Sequence, residues 1–589
     1  MRVLVAATLL LFSTAAYATT YQVGPTRTMT QITQAMASAG PGDVVQVDGN
    51  ATYAAVRWTK SGTAAQPIRI VGVAASGMRP RIQGGANTVE IEADYVVMEG
   101  FDISGGSSRG FFQHGDHNTL RDSVVHDCPK QGILGADQDS GTFLLEYVEV
   151  HHCGGGTGDH QIYMATDEVA HPGSVFRMQY CYVHDANGGN SVKSRAERNE
   201  IYYNWIEGAL YHELELIGPD PNGASAAWTE DLKREDSDVV GNVLRKTGTS
   251  FVARIGGDAT GWSKGRYRFV NNTILTMPGG SAVFRLFDQL ESVEMHNNVI
   301  VTNGTGGPNI MRAAAGEFMW VNGTNIAGSN NWVMTGATNV PTQWTGTLMG
   351  NSPGLTNLTS DPRPIVSSSA VVNAGAANPA GPAGFPFPVP LWPPAFHPPL
   401  QALIAVGSAM ARPSDATIDD GAFELGATTT GTGGTTGGGG QGGSSGRGGS
   451  GGAGGATGGR GGTGGSTGGA GGAAAGRGGT VGTGGATAGA GGTSAGAGGT
   501  SAGAGGATAG AGGTSAGAGG TAAGGTGGTN GTGVAGAAGG STGAGGTAQT
   551  SSGGCSCDVL AGTPPLPGLL AGAALLIARA RRRRSRTQL

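Results

Sequence analysis

One stretch decides the fold: Asn199-Glu200-Ile201-Tyr202-Tyr203-Asn204-Trp205-Ile206. It is a short apolar run with an Asn two places before an aliphatic residue, and the same unit returns later, within Val239–Leu244, Phe269–Ile274 and Glu294–Ile300. Looser copies come earlier, in Asp122–Asp127, Tyr147–His152 and Tyr180–Asp185. The copies are roughly 22 to 38 residues apart, a spacing typical of proteins built from stacked coils. The middle of the chain is therefore a repeat.

The repeated units have the pattern of strands. They are rich in Val, Ile and Tyr, they alternate, and Gly, Asn and Asp bound them. One unit buries no core, whereas stacked coils share one, and Asn at a recurrent position would stack as a hydrogen-bonded ladder. The pattern resembles the right-handed parallel β-helix superfamily, which includes the pectate lyases. The resemblance implies an all-β domain over residues 19–425, a right-handed single-stranded parallel β-helix.

The N-terminus has the features of a secretory signal peptide over residues 1–18. Arg2 precedes the apolar run Val3–Phe12, and Ala16-Tyr17-Ala18 fits an A-x-A cleavage site. The apolar run is too short to span a membrane, which favours a cleaved signal peptide over a membrane anchor. We therefore expect the protein to be exported. Further on, Met29–Met36 has apolar residues three and four apart and predicts a helix. That helix would cap the first coil, because an exposed strand edge recruits other chains.

Composition changes sharply after residue 425. Residues 426–553 are almost entirely Gly, Ala, Thr and Ser, which predicts a flexible, disordered linker. Residues 554–589 contain Cys555 and Cys557, then the apolar stretch Leu566–Ala578, which we expect to be a short helix, and then a cluster of arginines. This order resembles the sorting tag of myxobacterial surface proteins. The resemblance implies that Cys555 or Cys557 is the site of processing and lipid attachment.

A simple tail anchor is the alternative interpretation of the C-terminal segment, because arginines after an apolar run hold it at the cytoplasmic side of a membrane. With either interpretation the folded domain is tethered outside by a long linker. We therefore expect an exported protein that is anchored at the cell surface, on the outer membrane, or secreted.

Histidines cluster between residues 101 and 217. His126, His151 and His184 follow the same aliphatic position in successive units, so we expect them to stack in register. Such a column could bind a metal or could be an inert polar stack at a corner of the coils. Cys128 and Cys153 are also in register, one coil apart, which leaves a disulfide and two separate thiols equally open.

Two cationic residues lie just before the Asn199–Ile206 stretch. Lys193 and Arg195 occupy alternate positions of a short extended run, so their side chains share one face. Glu213 and Glu215 also alternate and fall on the following coil, and Asp159-His160 lies one coil earlier. If the coils are in register, the cationic pair lies beside the acidic pair.

Elimination on a uronate needs these residue types. A cation or Ca²⁺ must neutralise the carboxylate and stabilise the enolate, and a base must take the weakly acidic proton next to it. Lysine serves as a base where burial or a neighbouring cation lowers its pKa. We therefore predict three catalytic residues: Lys193, Arg195 and His160. Calcium prefers oxygen ligands, which predicts its ligands among Asp159, Asp185, Glu213 and Glu215.

A second resemblance is local. Lys193-Ser194, followed by Asn199, Ile201 and Asn204, is similar to the Lys-Ser…Asn segment of the alginate lyase and chondroitinase B family of polysaccharide lyases. The resemblance implies that Lys193 is the Brønsted base. The family's calcium-binding glutamates precede the lysine by seven and five residues, where this chain has Ala186 and Gly188. A calcium site would therefore be moved, for instance to Glu213 and Glu215, or absent.

Aromatic residues near turns are candidates for contact with sugars. Trp228, Trp262 and Tyr267 could stack on sugar faces or could cover the core. The formal net charge of −5 argues against a nucleic-acid partner. We expect a monomer.

The sequence thus predicts a surface-tethered lyase that cleaves an acidic polysaccharide with the help of Ca²⁺. Two alternatives stay open. One is a glycoside hydrolase, which would need two carboxylates at a set separation. The other is a non-catalytic carbohydrate-binding or adhesive protein, in which Lys193 and Arg195 are an exposed pair that balances nearby acids.

Overall fold

The computed structural model describes residues 18–426, except residues 222, 230–231, 233–234, 259–261, 288, 314–324, 385–386, 389–392 and 414–416. Residues 1–17 of the predicted signal peptide, the Gly-rich linker and the C-terminal tag with Cys555 and Cys557 lie outside the described residues.

The regular secondary structure of the described residues is almost entirely strand, with one short helix, α1 (Ile32–Met36). The strands of the first half are β1 (Thr20–Val23), β2 (Val44–Asp48), β3 (Thr52–Ala54), β4 (Val56–Trp58), β5 (Ile68–Val73), β6 (Arg81–Gln83), β7 (Asn87–Ile91), β8 (Val96–Glu99), β9 (Asp102–Ser104), β10 (Arg109–Gln113), β11 (Asn118–His126), β12 (Gln131–Gly135), β13 (Phe143–His151), β14 (Ile162–Ala165), β15 (Val175–Gln179), β16 (Tyr182–His184), β17 (Val192–Arg195) and β18 (Arg198–Tyr202). Those of the second half are β19 (Trp205–Glu207), β20 (Leu214–Ile217), β21 (Asp236–Val240), β22 (Val243–Arg245), β23 (Ala253–Gly256), β24 (Arg266–Val270), β25 (Thr273–Thr276), β26 (Phe284–Leu286), β27 (Ser292–His296), β28 (Val299–Thr302), β29 (Met311–Ala313), β30 (Ile326–Ser329), β31 (Trp332–Met334), β32 (Trp344–Thr345), β33 (Leu348–Gly350), β34 (Leu355–Asn357) and β35 (Asp361–Pro364).

The strands stack in parallel, each on the equivalent strand of the next coil. One sheet has ten strands, from β4 to β29, and a second has twenty-three. In a typical coil the chain passes through one strand of the ten-stranded sheet and two of the larger sheet, as in β17, β18 and β19. A small antiparallel pair, β34 and β35, follows the last coil. This is a parallel β-helix, and the predicted fold class is confirmed.

The core is a set of columns of apolar side chains that point into the coils. Along the ten-stranded sheet one column pairs residues rung by rung, where a rung is one strand of the stack, and it contains Ile133, Ile162, Val192, Leu214, Ala253 and Phe284. All six are fully buried. Burial of one such aliphatic side chain contributes about 1.5–3 kcal/mol, so the stack gains stability with each coil that is added.

The predicted asparagine ladder is present at the corner between the two strands of the larger sheet. Each Nδ2 donates to the Oδ1 of the next rung at 2.9–3.0 Å, and the members, all fully buried, are Asn204, Asn242, Asn272, Asn298 and Asn331. The residue before each member has a left-handed backbone, for example Asn271 with φ 51° and Asn297 with φ 55°. Asn tolerates that conformation better than most residues, which explains the repeated Asn-Asn pair.

Covering segments pack on the described stack at its N-terminal end and along one side. Helix α1 buries Ile32 and Ala35 against the first coils, so the predicted N-terminal cap is confirmed, although it is shorter than Met29–Met36. The segment after β35 lies on the outside of the larger sheet, where Phe396 packs against Tyr180 and Tyr203. Among the described residues no helix is both long and apolar enough to cross a bilayer.

Two of the expected columns are also observed. His126, His151 and His184 pair in register, and their rings stack at centroid distances of 5.0 and 5.1 Å. Cys128 and Cys153 are buried free thiols, which resolves the open question in favour of separate thiols. Each thiol donates to the carbonyl of the residue two places earlier, at 3.3 and 3.4 Å.

Candidate functional site

Strand β17 places Lys193 on the outer face of the ten-stranded sheet. Val192 and Ser194 alternate with it and point into the core, where both are fully buried. Lys193 pairs with Tyr163 of β14 on one side and with Glu215 of β20 on the other. Arg195, two residues on, shares the outer face as predicted, because both cations contact the same carboxylate oxygen.

That shared carboxylate belongs to Asp258, which follows β23. Its Oδ2 lies 3.2 Å from Lys193 Nζ and accepts a hydrogen bond from Arg195 Nη2 at 2.7 Å. The Asp258 side chain is 7% exposed, so the bridge is shielded from water. Sequence reasoning missed Asp258, because it lies 65 residues from Lys193 in the chain and outside the strand pattern.

Arg195 is held from several directions and does not reach the surface. Its Nε donates to Tyr163 Oη at 3.0 Å and its Nη1 to the Gly218 carbonyl at 2.5 Å, in addition to the bond to Asp258. The side chain is 2% exposed. Arg195 is therefore a fixed positive charge next to Lys193, a positioning residue that substrate cannot touch directly.

Lys193 is a lysine made less basic by its surroundings. Burial, and then the positive charge of Arg195, lowers its pKa to about 8, although Asp258 opposes the shift. The ammonium group also lies 5.1 Å from the centroid of the Tyr163 ring. The side chain keeps 11% exposure, so it is not fully closed off from the outer face. A neutral amine is thus available near neutral pH, as general-base chemistry requires.

Glu215 lies on the next rung and is enclosed by donors. Its carboxylate forms ion pairs with Lys193, at 3.6 Å, and with Arg254 of β23, and it accepts a hydrogen bond from Asn190 Nδ2 at 2.5 Å. Arg254 is two rungs beyond Lys193 in the same outward column. Arg254 was not predicted as a site residue, although its alternation with the apolar Ala253 and Ile255 is a signal that the sequence contains.

Glu213 does not join this group. The register pairs Val192 with Leu214, so only Glu215 lies opposite the lysine and Glu213 lies one step before the strand. Its carboxylate is fully buried, accepts from Ser191 Oγ at 2.9 Å and lies 3.4 Å from Lys246 Nζ. The expectation that both glutamates flank the cationic pair is therefore wrong for Glu213.

His160 lies close to the site as a neutral ring. Its Nδ1 accepts the backbone N–H of Asn190 at 3.0 Å, and its edge packs on the Tyr163 ring. Burial, followed by the charge of Lys193, lowers its pKa well below the usual value. His160 therefore cannot be a general acid at neutral pH, and any other catalytic role for it stays a prediction.

The predicted calcium ligands are dispersed. Asp159 accepts from Gln131 at 3.1 Å, and the largely exposed Asp185 pairs with His184 at 2.8 Å on the larger sheet. Glu213 and Glu215 each have cations of their own. Within residues 18–426, apart from the gaps given above, no group of three or more His, Cys, Asp or Glu side chains is arranged to hold a metal. These four residues do not fit one calcium site.

The three aromatic candidates for contact with sugars lie in different environments. Trp228 lies in the loop after β20 and Trp262 in the loop after β23 that also contains Asp258, and both are partly exposed. Contact of these two residues with sugars remains a prediction. Tyr267 is fully buried in the core, which favours packing over contact with sugars; it lies in β24, where its side chain points inward.

A small crevice opens beside Arg195, lined among others by Asp137, Glu168 and Asp220. Burial raises the pKa of Asp137 to about 6 and that of Glu168 to about 8. Glu168 is therefore largely protonated at neutral pH. Carboxyl groups of this kind donate protons in glycosidases.

The fold and the site define a parallel β-helix protein with a buried, charge-balanced lysine on the outer face of one sheet. No family model and no curated protein match the chain.

Solved structures resemble it. Pectate lyase Pel9A is 12% identical with a TM-score of 0.40, covering 69% of this chain and 97% of that one. An alginate lyase from Paenibacillus sp. strain FPU-7 is 17% identical with a TM-score of 0.28, covering 50% and 96%. A PL6 family polysaccharide lyase from Pseudopedobacter saltans is 14% identical with a TM-score of 0.33, covering 60% and 98%. At these identities the likeness concerns the fold alone.

Proposed function

We propose that this chain is a lyase that cleaves an acidic, uronate-containing polysaccharide by β-elimination, with Lys193 as the base. The observation that supports this most is the lysine itself, nearly buried and with a pKa of about 8, on the outer face of the sheet. A surface lysine that merely balances acids would be exposed and would keep its ordinary basicity.

The reaction balances with the groups present. Neutral Lys193 removes the proton on the carbon next to the uronate carboxylate, and the electron pair forms a carbon–carbon double bond. The bond from the neighbouring carbon to the glycosidic oxygen breaks, and that oxygen takes a proton, for which the new lysine ammonium is a nearby source. The product has an unsaturated uronate at its new end.

Positive charge beside the base would stabilise the enolate that forms between these steps. Arg195 would supply this positive charge as a fixed, buried guanidinium next to Lys193. Arg254, with 17% of its side chain exposed, is the cation that can approach the substrate carboxylate, once that carboxylate competes with Glu215. The four predicted calcium ligands do not form one site, so no step is routed through the ion, and calcium dependence is left to experiment.

A glycoside hydrolase is the second candidate. It is favoured by the crevice beside Arg195, where Glu168 has the raised pKa of a general acid. Hydrolysis by Glu168 with a second carboxylate would generate reducing ends without a double bond. A binding protein on the same fold would produce neither.

We further propose that the domain works outside the cell as a monomer, tethered by the Gly-rich linker and the C-terminal tag with Cys555 or Cys557. This part of the proposal is supported by the sequence features alone. Loss of membrane association after Cys555→Ser with Cys557→Ser, measured by fractionation of cells, would support lipid attachment, and unchanged association would contradict it.

The activity is tested on a panel of polyuronates and glycosaminoglycans, with and without Ca²⁺. Ultraviolet absorbance reports the unsaturated product and a reducing-end assay reports any cleavage. Rise of both signals indicates a lyase. Reducing ends alone, lost in Glu168→Gln, would indicate the hydrolase. Flat signals across the panel would exclude both activities on those substrates and favour the binding protein.

A further inference from the structure

The outward-facing residues that pair with Lys193 from rung to rung along the ten-stranded sheet form a column. The charge of these residues changes at Lys193. The three rungs before it carry Phe112, Leu134 and Tyr163, none of which is charged. The rungs after it carry Glu215, then three arginines in succession, Arg254, Arg285 and Arg312. Strands in a sheet are about 4.8 Å apart, so the three arginines form a short row of regularly spaced cations that begins two rungs beyond the proposed base.

The first two arginines of the row are held by aromatic rings. The Arg254 guanidinium lies 5.9 Å from the ring centroids of both Tyr211 and Phe287. That of Arg285 lies 4.7 Å from Phe287 and 5.4 Å from Phe251. Rings that pack on the guanidinium planes orient the side chains without neutralising them.

The outer two arginines have no acidic partner among the residues that the structure describes. Among the described residues neither Arg285 nor Arg312 forms an ion pair, whereas Arg254 has Glu215. Arg285 is half-buried and Arg312 is exposed. Elsewhere in the same column Arg57 is paired with Glu90 and Glu92, so an unbalanced arginine is not a general property of this face.

We propose that Arg285 and Arg312 bind consecutive anionic sugars beyond the reacting uronate, on the side of Arg254. The inference rests on the proposed function for the position of the reacting sugar. It adds the direction in which the substrate charge must extend, and it predicts that affinity rises with the number of anionic sugars up to the end of the row.

Binding is measured on the full chain with Lys193→Gln, so that no turnover is needed. The probes are size-defined oligosaccharides of alginate and of polygalacturonate, and the technique is isothermal titration calorimetry at low and at physiological salt. Starting from this background, Arg285→Gln together with Arg312→Gln should weaken binding of the hexasaccharides about tenfold or more and should reduce the salt dependence. Binding of the disaccharides should stay unchanged.

The control is Arg57→Gln at the opposite end of the column, which should leave binding of all lengths unchanged. Equal binding of every oligosaccharide by the double variant and its parent would overturn the proposal, as would failure of the parent to bind either series. Binding of poly-glutamate with the same arginine dependence would also overturn it, because the row would then be a general anion surface. If binding behaves as expected but the wild-type chain cleaves none of the sugars, only the proposed lyase activity fails.

Discussion

Lys193 is surrounded by charges of both signs, and their balance sets its pKa. Burial and Arg195 favour the neutral amine, and Asp258 favours the ammonium. The lysine and Arg195 could be identified from sequence because they lie two apart in one strand. Asp258, Tyr163 and Arg254 could not, since each comes from a different rung or loop and only the register brings them together.

Replacement of Asp258 tests this balance. A base must be neutral to act, so activity should rise with pH through the pKa of Lys193, about 8. Asp258→Asn removes the carboxylate that stabilises the ammonium, so the midpoint of the pH–rate profile should move to lower pH by roughly one unit. Asp139→Asn, an exposed carboxylate in the loop after β12, is the matched control and should leave the profile unchanged. An unchanged or alkaline-shifted midpoint in Asp258→Asn would contradict the assignment of Lys193 as the base.

Register between strands explains both the success and the failure of the sequence-based expectations at the level of elements. The histidine column was predictable because His126, His151 and His184 occupy one position of a regular repeat. The position of Glu213 was not, because the chain between β17 and β20, which includes β18 and β19, sets an offset that places Glu215 opposite Lys193. In parallel strands such an offset depends on loop length and packing rather than on the alternation of residue types.

The histidine column should make stability depend on pH. His126 pairs through Nε2 with Asp102 at 2.9 Å and through Nδ1 with Asp127 at 2.7 Å, while His151 stacks on it from the next coil. These carboxylates, mainly Asp102, raise the pKa of His126 to about 8. Because the pKa is higher in the folded than in the unfolded state, the stabilisation is fully present below about pH 6.5 and is lost as pH rises through about 8.

The expected size is about 2 kcal/mol, the free energy that corresponds to a shift from 6.5 to about 8. His126→Gln should therefore lower the free energy of unfolding at pH 6 and have much less effect at pH 9, as measured by denaturant titration at each pH. The exposed His117→Gln is the control. An effect of His126→Gln that is the same at both pH values would rule out the charged pair.

The described stack is stabilised by columns of equivalent side chains that run along it from coil to coil. The strand pattern and the recurrent Asn are properties of each unit, so the fold and the ladder could be predicted from sequence. The contacts of the segment after β35 with Tyr180 and Tyr203 could not be predicted, because they join residues about 200 positions apart.

Replacement of Asn272 tests how much the asparagine ladder contributes to stability. Its Oδ1 accepts from the backbone and side chain of Asn242, and its Nδ2 donates to Val239 O and to Asn298 Oδ1. Asn272→Ala would leave several of these buried groups without a partner, so the free energy of unfolding should fall by about 2–3 kcal/mol. The exposed Asn378→Ala should change it by less than about 0.5 kcal/mol. Equal effects of the two variants would show that the ladder contributes little.

The most direct test of the central claim compares wild-type chain and Lys193→Gln in the ultraviolet assay for the unsaturated product, on any polyuronate of the panel that the wild type cleaves. We expect the rate to fall by about 10³-fold or more in Lys193→Gln, since the base is lost. Lys130→Gln, which removes an exposed lysine from the loop before β12, should retain the full rate. A Lys193→Gln chain that folds normally and still forms the unsaturated product at the wild-type rate would contradict the claim that Lys193 is the base.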